Sequence, residues 1–396
     1  MSAEATPAEG PPAELAPLRL DGESIVGAGG VFRPERFGGL AYSRECDRFY
    51  AMDTKSFRAM RSFTQPTCPA PAGHGESSFV GEFAQRPIPD RPMVVNCLVT
   101  AYCPLRCRYC HADDLMGPFR AGESDDDLDR IVRTAELVPA MVAVITGGDP
   151  IVRPDRAIHV IERLAESKAL VLDTSGAGDI GPLLPAMKAH NVHLRVSLDA
   201  ASASPNDEVR PIDRRHLPLG TSSHAQALET IRRARRADVR TTVQTVVTSR
   251  NEHEAELLRL HDLLVDLGVR HWALHVMVNA GRGAQPRSRR LRPSGESLAR
   301  LPATVDRLRL EGSPVHVRIT RTDQQPNAVI LVNNRGDLYA ERGGAMGKVK
   351  IGSAESSASE IEKAFRATID LAAHADRYLM RRPATLGRHG DRAAQE

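Results

Sequence analysis

The chain has 396 residues, 41% of them hydrophobic, and its 53 Lys and Arg against 50 Asp and Glu leave a formal charge of +3. That length buries a large core, while near-balanced charge and only 4% aromatic residues exclude a nucleic-acid coat and long base-stacking platforms. No stretch reaches the roughly 18 consecutive apolar residues of a membrane helix. The start, "MSAEATPAEGPPAELAP", is acidic and proline-rich without an apolar signal core. A cytoplasmic location is expected, where clustered thiols stay reduced.

Residues 1–18 read as a disordered tail. Residues 19–65 read as a small module: "GGLAYS" and "DRFYAMD" make a β-hairpin around the turn "RECD", and a helix follows from Thr54. Residues 66–92, rich in Pro and Gly, form a linker. From Met93 to about residue 285, apolar runs of strand length alternate with amphipathic helical stretches. The strands are "MVVNCLVTA", "MVAVITGG", "ALVLDTSG", "VHLRVSLDA", "VRTTVQTVVTS" and "RHWALHVMVNA". Six such units with apolar strands predict an α/β fold, a partial (β/α)6 TIM-like barrel with parallel strands. Chemistry then belongs at the C-terminal strand ends.

Residues 286–382 read as a C-terminal α+β extension. It comprises a helix, the strand "PVHVRITRT", a hairpin turning at "NRGD", and one helix over "SEIEKAFRATIDLAAHADRYLM". A polar tail occupies 383–396. The basic runs "RRARR" at 232–236 and "RSRRLR" at 287–292 read as a solvated helix face and an exposed loop.

All six cysteines (Cys46, Cys68, Cys97, Cys103, Cys107 and Cys110) lie in the first 110 residues. Three of them make "CPLRCRYC" at 103–110, placed after the first barrel strand. Three thiolates leave one iron of a cubane cluster open for a ligand. A zinc site completed by His111 or another residue is the alternative. Cys97 is either a radical-facing thiol or a small core residue, and Asp113 and Asp114 either orient substrate or cap the next helix.

The CxxxCxxC spacing, with Tyr109 before the last cysteine and six strand–helix units around it, resembles the radical S-adenosylmethionine superfamily over residues 93–285. The resemblance implies one 4Fe–4S cluster held by Cys103, Cys107 and Cys110, which are both catalytic and metal ligands. The open iron would chelate S-adenosylmethionine, whose reductive cleavage yields a 5′-deoxyadenosyl radical that abstracts hydrogen from substrate. It implies an external one-electron donor of the flavodoxin or ferredoxin type. Tyr109 would lie by the adenine, and Gly147, Gly148 and Asp149 of "TGGDP" by the methionine amino group. In this family that motif carries Glu where this chain has Asp149. Ser175, Ser197 and Asp199 would meet the methionine carboxylate and ribose hydroxyls, and Arg210 would pair with the carboxylate. Gln244, Thr248 and Val276 to Asn279 are further adenine-side candidates.

Residues 32–60, "FRPERFGGLAYSRECDRFYAMDTKSFRAM", resemble the start of the leader-recognition module of ribosomal-peptide maturases, which binds a precursor peptide as an added strand. "LVNNRGDLYAERGGAMGKVKIGSA" resembles the segment where such enzymes carry auxiliary clusters, but Ala340 and Glu341 stand where the cysteine would be. Together these imply a single-cluster enzyme modifying a precursor peptide by hydrogen transfer, rearrangement, elimination or epimerisation. A small natural-product intermediate, such as a sugar or nucleoside, is the alternative substrate, and a non-catalytic zinc-stabilised binding protein the alternative function. Neither a membrane nor a specific nucleic acid is an expected partner.

Overall fold

The protein's structure is a computed structural model, and it describes residues 24–27, 29–61, 78–83, 86–117, 122–213, 220–320, 328–341 and 347–379. The two expected tails, Cys68 and most of the expected linker lie outside the described residues. Among the described residues no helix is long and apolar enough to cross a membrane.

The expected hairpin, β3 (Gly38–Ser43) and β4 (Arg48–Asp53), forms and leads into helix α1 (Thr54–Arg61). It is the centre of a five-stranded sheet completed by β1 (Ile25–Val26) and β2 (Gly30–Glu35) on one side and β5 (Phe79–Val80) on the other. The "RECD" turn closes on Asp47 at φ 50°. Aspartate tolerates that left-handed conformation better than most residues.

The six strand–helix units appear in the expected order. The strands are β6 (Val94–Thr100), β7 (Val142–Gly147), β8 (Ala169–Thr174), β9 (His193–Ser197), β10 (Thr241–Val247) and β11 (His271–Val276). All five pairings between neighbours are parallel. The interleaved helices are α2 (Asp125–Leu137), α3 (Pro154–Leu164), α4 (Leu184–Ala189), α5 (Ala203–Val209) with α6 (Ser223–Arg236), and α7 (Glu254–Asp266). Ser124 starts α2 with a capping box to Asp127.

The sheet continues beyond these units on both edges. After α8 (Gly295–Leu310), β12 (His316–Thr320) adds in parallel beside β11. Strand β13 (Val329–Val332) adds in parallel beside β6, and β14 (Asp337–Glu341) and β15 (Lys348–Ser353) extend that edge antiparallel. The extension's strands thus join the barrel sheet. The single expected C-terminal helix is two, α9 (Ala358–Thr368) and α10 (Leu371–Tyr378). Asp370 breaks it by accepting hydrogen bonds from the Ala372 and Ala373 backbone N–H groups, an N-cap inside an otherwise helical pattern.

Alternation along the strands sorts their side chains into two layers. Val95, Cys97, Val99, Leu170, Leu172, Val243 and Leu274 pack outward against the helices. Cys97 therefore faces the helix layer as a core residue. Val94, Met141, Val142, Ala169 and Val171, at the beginnings of the strands, pack inward against Val31, Leu40, Tyr42 and Phe49 of the N-terminal sheet. That sheet closes the end of the barrel opposite the cysteine loop.

Two buried arginine contacts fasten it. Arg33 donates to the Pro92 and Pro139 carbonyls at 2.6 and 3.0 Å. Asp47, fully buried at the tip of its turn, accepts from Arg195 at 2.7 and 2.6 Å, Arg318 Nη2 at 2.8 Å and the Tyr42 hydroxyl at 2.8 Å.

Helix α10 is fastened by His374, whose Nδ1 donates to Ala328 O at 2.7 Å while Nε2 accepts from Met93 N at 2.8 Å. Only the neutral ring makes both bonds, and burial holds its pKa down at about 4. An unfolded histidine titrates near about 6.5, so this contribution is complete above that pH and drains away as pH falls toward 4, by about 3 kcal/mol in all. Urea midpoints measured for wild type and His374→Gln check this. Their difference is expected to shrink from pH 7 to pH 4.5, and a constant difference contradicts the assignment.

Candidate active site

Beyond Thr100 the chain turns into the cysteine loop, and the loops after β7, β9 and β11 brace it. Gly148 N donates to Thr100 O at 2.7 Å and Asp149 N to Tyr102 O at 2.8 Å. Arg106 N and Arg108 N donate to Pro211 O and Val209 O at 2.8 and 2.9 Å, and Leu105 bridges Ile212. Arg282 N donates to Cys110 O at 2.8 Å, and the Ser288 hydroxyl to Arg108 O at 2.8 Å. A loop held on three sides presents its thiols in a fixed arrangement, which a polynuclear site requires.

The glycines of "TGGDP" act on this loop. A Cβ on Gly148 would overlap the Tyr102 carbonyl, and one on Gly147, which lies at φ 144°, would overlap Thr100 O. Glycine is needed here because the cysteine loop's backbone passes directly against β7.

The remaining candidates fall into two buried groups and one lumen residue. At the end of β8, the Asp149 carboxylate accepts from the Thr174 hydroxyl at 2.7 Å, from Ser175 N at 2.9 Å, from the Ser175 hydroxyl and from Ile151 N at 3.2 Å. Burial raises its pKa and these donors oppose the rise. Asp149 and Ser175 thus contact each other and tie two strand ends together. At the end of β9, the Tyr109 hydroxyl donates to Asp199 and accepts from Arg210 at 3.0 Å. Asp199 also accepts from Val246 N at 2.9 Å, and its own backbone is held by Asn206 and Asn251. Arg210 therefore faces Tyr109 and Asp199, which supply its partner inside the protein. Ser197 faces the barrel lumen, in register with Gln244.

Burial pushes the Cys110 thiol up to about 12 and raises Cys103 and Cys107; for Cys107 the nearby Arg210 charge opposes the rise. Bare thiols here stay protonated, so metal loading must expel protons. Among the described residues no group of three His, Cys, Asp or Glu is arranged for a single metal ion. A cubane takes each thiolate on a different iron, and three thiols on one braced loop fit it. His111 is exposed, while Asp113 pairs with Arg282 at 2.6 Å and Asp114 with Lys348 at 2.7 Å.

Some site residues escape the sequence reading. The buried Glu123 carboxylate accepts from the Thr100 hydroxyl at 2.9 Å, from Ala101 N at 2.7 Å and from Arg153 at 3.0 Å, anchoring the root of the cysteine loop. Its only signal is a carboxylate just before the Ser124 cap. The lumen carries Asp173, Arg195, His275 and Arg318, on strands whose apolar neighbours Leu172, Leu194, Val196, Leu274 and Val317 pack outward. Polar residues at alternate positions of apolar strands are the signal that finds them. Burial lifts Asp173 to about 6 against the pull of Arg195 at 3.6 Å, and burial holds His275 well below the usual histidine range. Among the described residues, Asp173 Oδ1 and His275 Nε2 are buried without a hydrogen-bond partner.

Residues 97–264 match the model of the radical SAM superfamily. The pre-heme d1 synthase of Dinoroseobacter shibae is 31% identical over 208 residues, covering 50% of this chain and 46% of that protein. The AdoMet-dependent heme synthase of Nitratidesulfovibrio vulgaris is 26% identical over 189 residues, covering 47% and 48%. The chain spans about half the length of the curated relatives it matches. Streptococcus suis SuiB bound to precursor peptide SuiA shares the fold at TM-score 0.55 and 12% identity, covering 80% of this chain and 82% of that one. Native anSMEcpe with bound AdoMet shares it at TM-score 0.55 and 13% identity, covering 70% and 83%.

Proposed function

We propose that this chain, whose residues 97–264 match the radical SAM superfamily, is a single-cluster enzyme that uses a 4Fe–4S cluster and S-adenosylmethionine to abstract hydrogen from a precursor peptide. The outcome for the peptide is hydrogen transfer, rearrangement, elimination or epimerisation. The observation that carries the peptide reading is the N-terminal sheet. Among the described residues its edge strands β1 and β5 are two residues each. A small sheet ending in short edge strands is the kind of element to which an extended peptide adds as a strand, and SuiB, crystallised with its precursor peptide, shares the fold.

Cys103, Cys107 and Cys110 would hold the cluster, which with S-adenosylmethionine supplies a 5′-deoxyadenosyl radical. The residues around it act by position. Gly147 and Gly148 let the loop lie flat on β7, and Glu123 fixes its root. The Tyr109–Asp199–Arg210 group sets the loop against β9 and β10, and Tyr109, Val209, Met277 and Leu291 keep water from Cys107. Deeper in the lumen, Asp173 and His275 present polar atoms for the substrate's amide or hydroxyl groups. Among these 396 residues no cysteine follows Cys110, so an outcome that hands an electron to an auxiliary cluster is disfavoured.

A second reading rests on the sequence relatives: a haem precursor in place of the peptide. The anaerobic, cluster-loaded chain is incubated with S-adenosylmethionine and, separately, a synthetic candidate precursor peptide or a haem-precursor tetrapyrrole. The peptide is expected to change mass, with 5′-deoxyadenosine formed in proportion. Turnover of the tetrapyrrole with the peptide unchanged replaces the first reading by the second.

A further inference from the structure

The outer face of the cysteine loop borders a pocket of about 690 Å³. Among the described residues, five guanidiniums line it, from Arg106, Arg108, Arg282, Arg287 and Arg290, against the one carboxylate of Asp213. Arg106 and Arg108 flank Cys107, so the pocket wall lies one residue from a cluster-ligand position. Three of the five are partly neutralised: Arg106 by Asp213 at 2.7 Å, Arg282 by Asp113 at 2.6 Å, and Arg108 by Glu208 at a loose 3.5 Å. Arg287 and Arg290 are exposed and make no ion pair among the described residues, and exposed Arg289 lies between them in sequence. The short helical turns that carry them are held down by Ser288, which bonds to Arg108 O, and by buried Leu291. The positive charge is therefore shared between the loop that carries the cluster thiols, through Arg106 and Arg108, and the turns braced against it, through Arg282, Arg287 and Arg290.

We propose that this arginine basin docks an acidic one-electron carrier protein, and that the "RSRRLR" run exists for that contact. The inference rests on the radical-enzyme reading, whose chemistry consumes one electron per cleavage event. The carrier gives up one electron, leaving oxidised by one, and the cluster on Cys103, Cys107 and Cys110 is reduced by one. Outside the loop these 396 residues hold only Cys46, Cys68 and Cys97, one thiol short of a four-cysteine relay cluster, so the carrier must approach the loop itself. A carboxylate-rich surface is the partner the basin fits, because guanidiniums pair with carboxylates through forked hydrogen bonds and opposite fields steer encounter.

The test uses the cluster-loaded full chain with S-adenosylmethionine and two reductants, dithionite and an acidic reduced flavodoxin. Cluster reduction rate, 5′-deoxyadenosine formation and flavodoxin affinity are read at low and high salt. The variant R287E/R290E is expected to lose about tenfold or more in flavodoxin-driven rate and affinity at low salt, with a flattened salt dependence. Its dithionite-driven rate stays at wild type, and R287K/R290K keeps both. Wild-type flavodoxin kinetics in R287E/R290E, or a salt-insensitive wild type, overturns the proposal alone. If wild type cleaves nothing with dithionite, the radical-enzyme reading fails and the docking proposal falls with it. Should R287E/R290E fail to fold, R287Q/R290Q answers the same question, since loss of two charges alone is expected to weaken flavodoxin binding and unchanged binding overturns the proposal.

Discussion

Replacing Cys107 with serine is expected to remove 5′-deoxyadenosine formation, by on the order of a thousandfold or more, equivalent to about 4 kcal/mol of lost barrier reduction. Serine keeps the size of the side chain packed beside Tyr109, Val209 and Met277, so the fold is retained and only the ligand is lost. Iron content after anaerobic reconstitution and the visible absorption of the cluster should fall together with activity. The thermal midpoint of the metal-free protein should hardly move. A serine variant that loads iron and cleaves S-adenosylmethionine at the wild-type rate would remove Cys107 from the ligand set, and with it the reading of the whole loop.

The largest effect on stability is expected at Asp47. Its buried carboxylate pairs with Arg195 and Arg318 and accepts from Tyr42. Burial alone would raise its pKa, yet the two guanidiniums hold it well below the usual range. Asp47→Ala strands both cations in the barrel lumen, and removing one partner of a buried ion network destabilises by about 3–5 kcal/mol. The loss should show in urea unfolding followed by two probes, far-ultraviolet circular dichroism and the fluorescence of Trp272 in the sheet. Asp47→Ala combined with Arg318→Met should recover part of it. If Asp47→Ala unfolds within 1 kcal/mol (about fivefold in the folding constant) of wild type, the N-terminal sheet is not fastened through this turn. Acid acts in the same direction: the Asp47 contribution is present above about pH 4 and is lost as pH falls through its depressed pKa.

The parts of this molecule legible in its sequence are those set by local periodicity and covalent spacing. Six apolar runs alternating with amphipathic stretches specify parallel strands with helices between them, and the three thiols sit at the first strand end for the same reason. Long-range pairing was not legible. Strand β12 reads like any apolar run, and nothing local says that it extends the edge beside β11 while β13 takes the opposite edge beside β6. Asp47 lies 148 residues from Arg195 and 271 from Arg318 in sequence, so its place in the lumen emerges only on folding. The strand ends were legible in the sequence, but the contacts their side chains make within the protein were not: Asp149 meets Thr174 and Ser175, and Arg210 meets Tyr109 and Asp199. The break between α9 and α10 turned on one side chain, Asp370, whose cap competes with helix continuation.

The most direct test of the central claim is anaerobic reconstitution of the full chain with iron and sulfide, reduction with dithionite, and assay of S-adenosylmethionine cleavage. The account predicts a bound cluster and formation of 5′-deoxyadenosine with methionine. Stoichiometric zinc without iron, and intact S-adenosylmethionine after reduction, would contradict it.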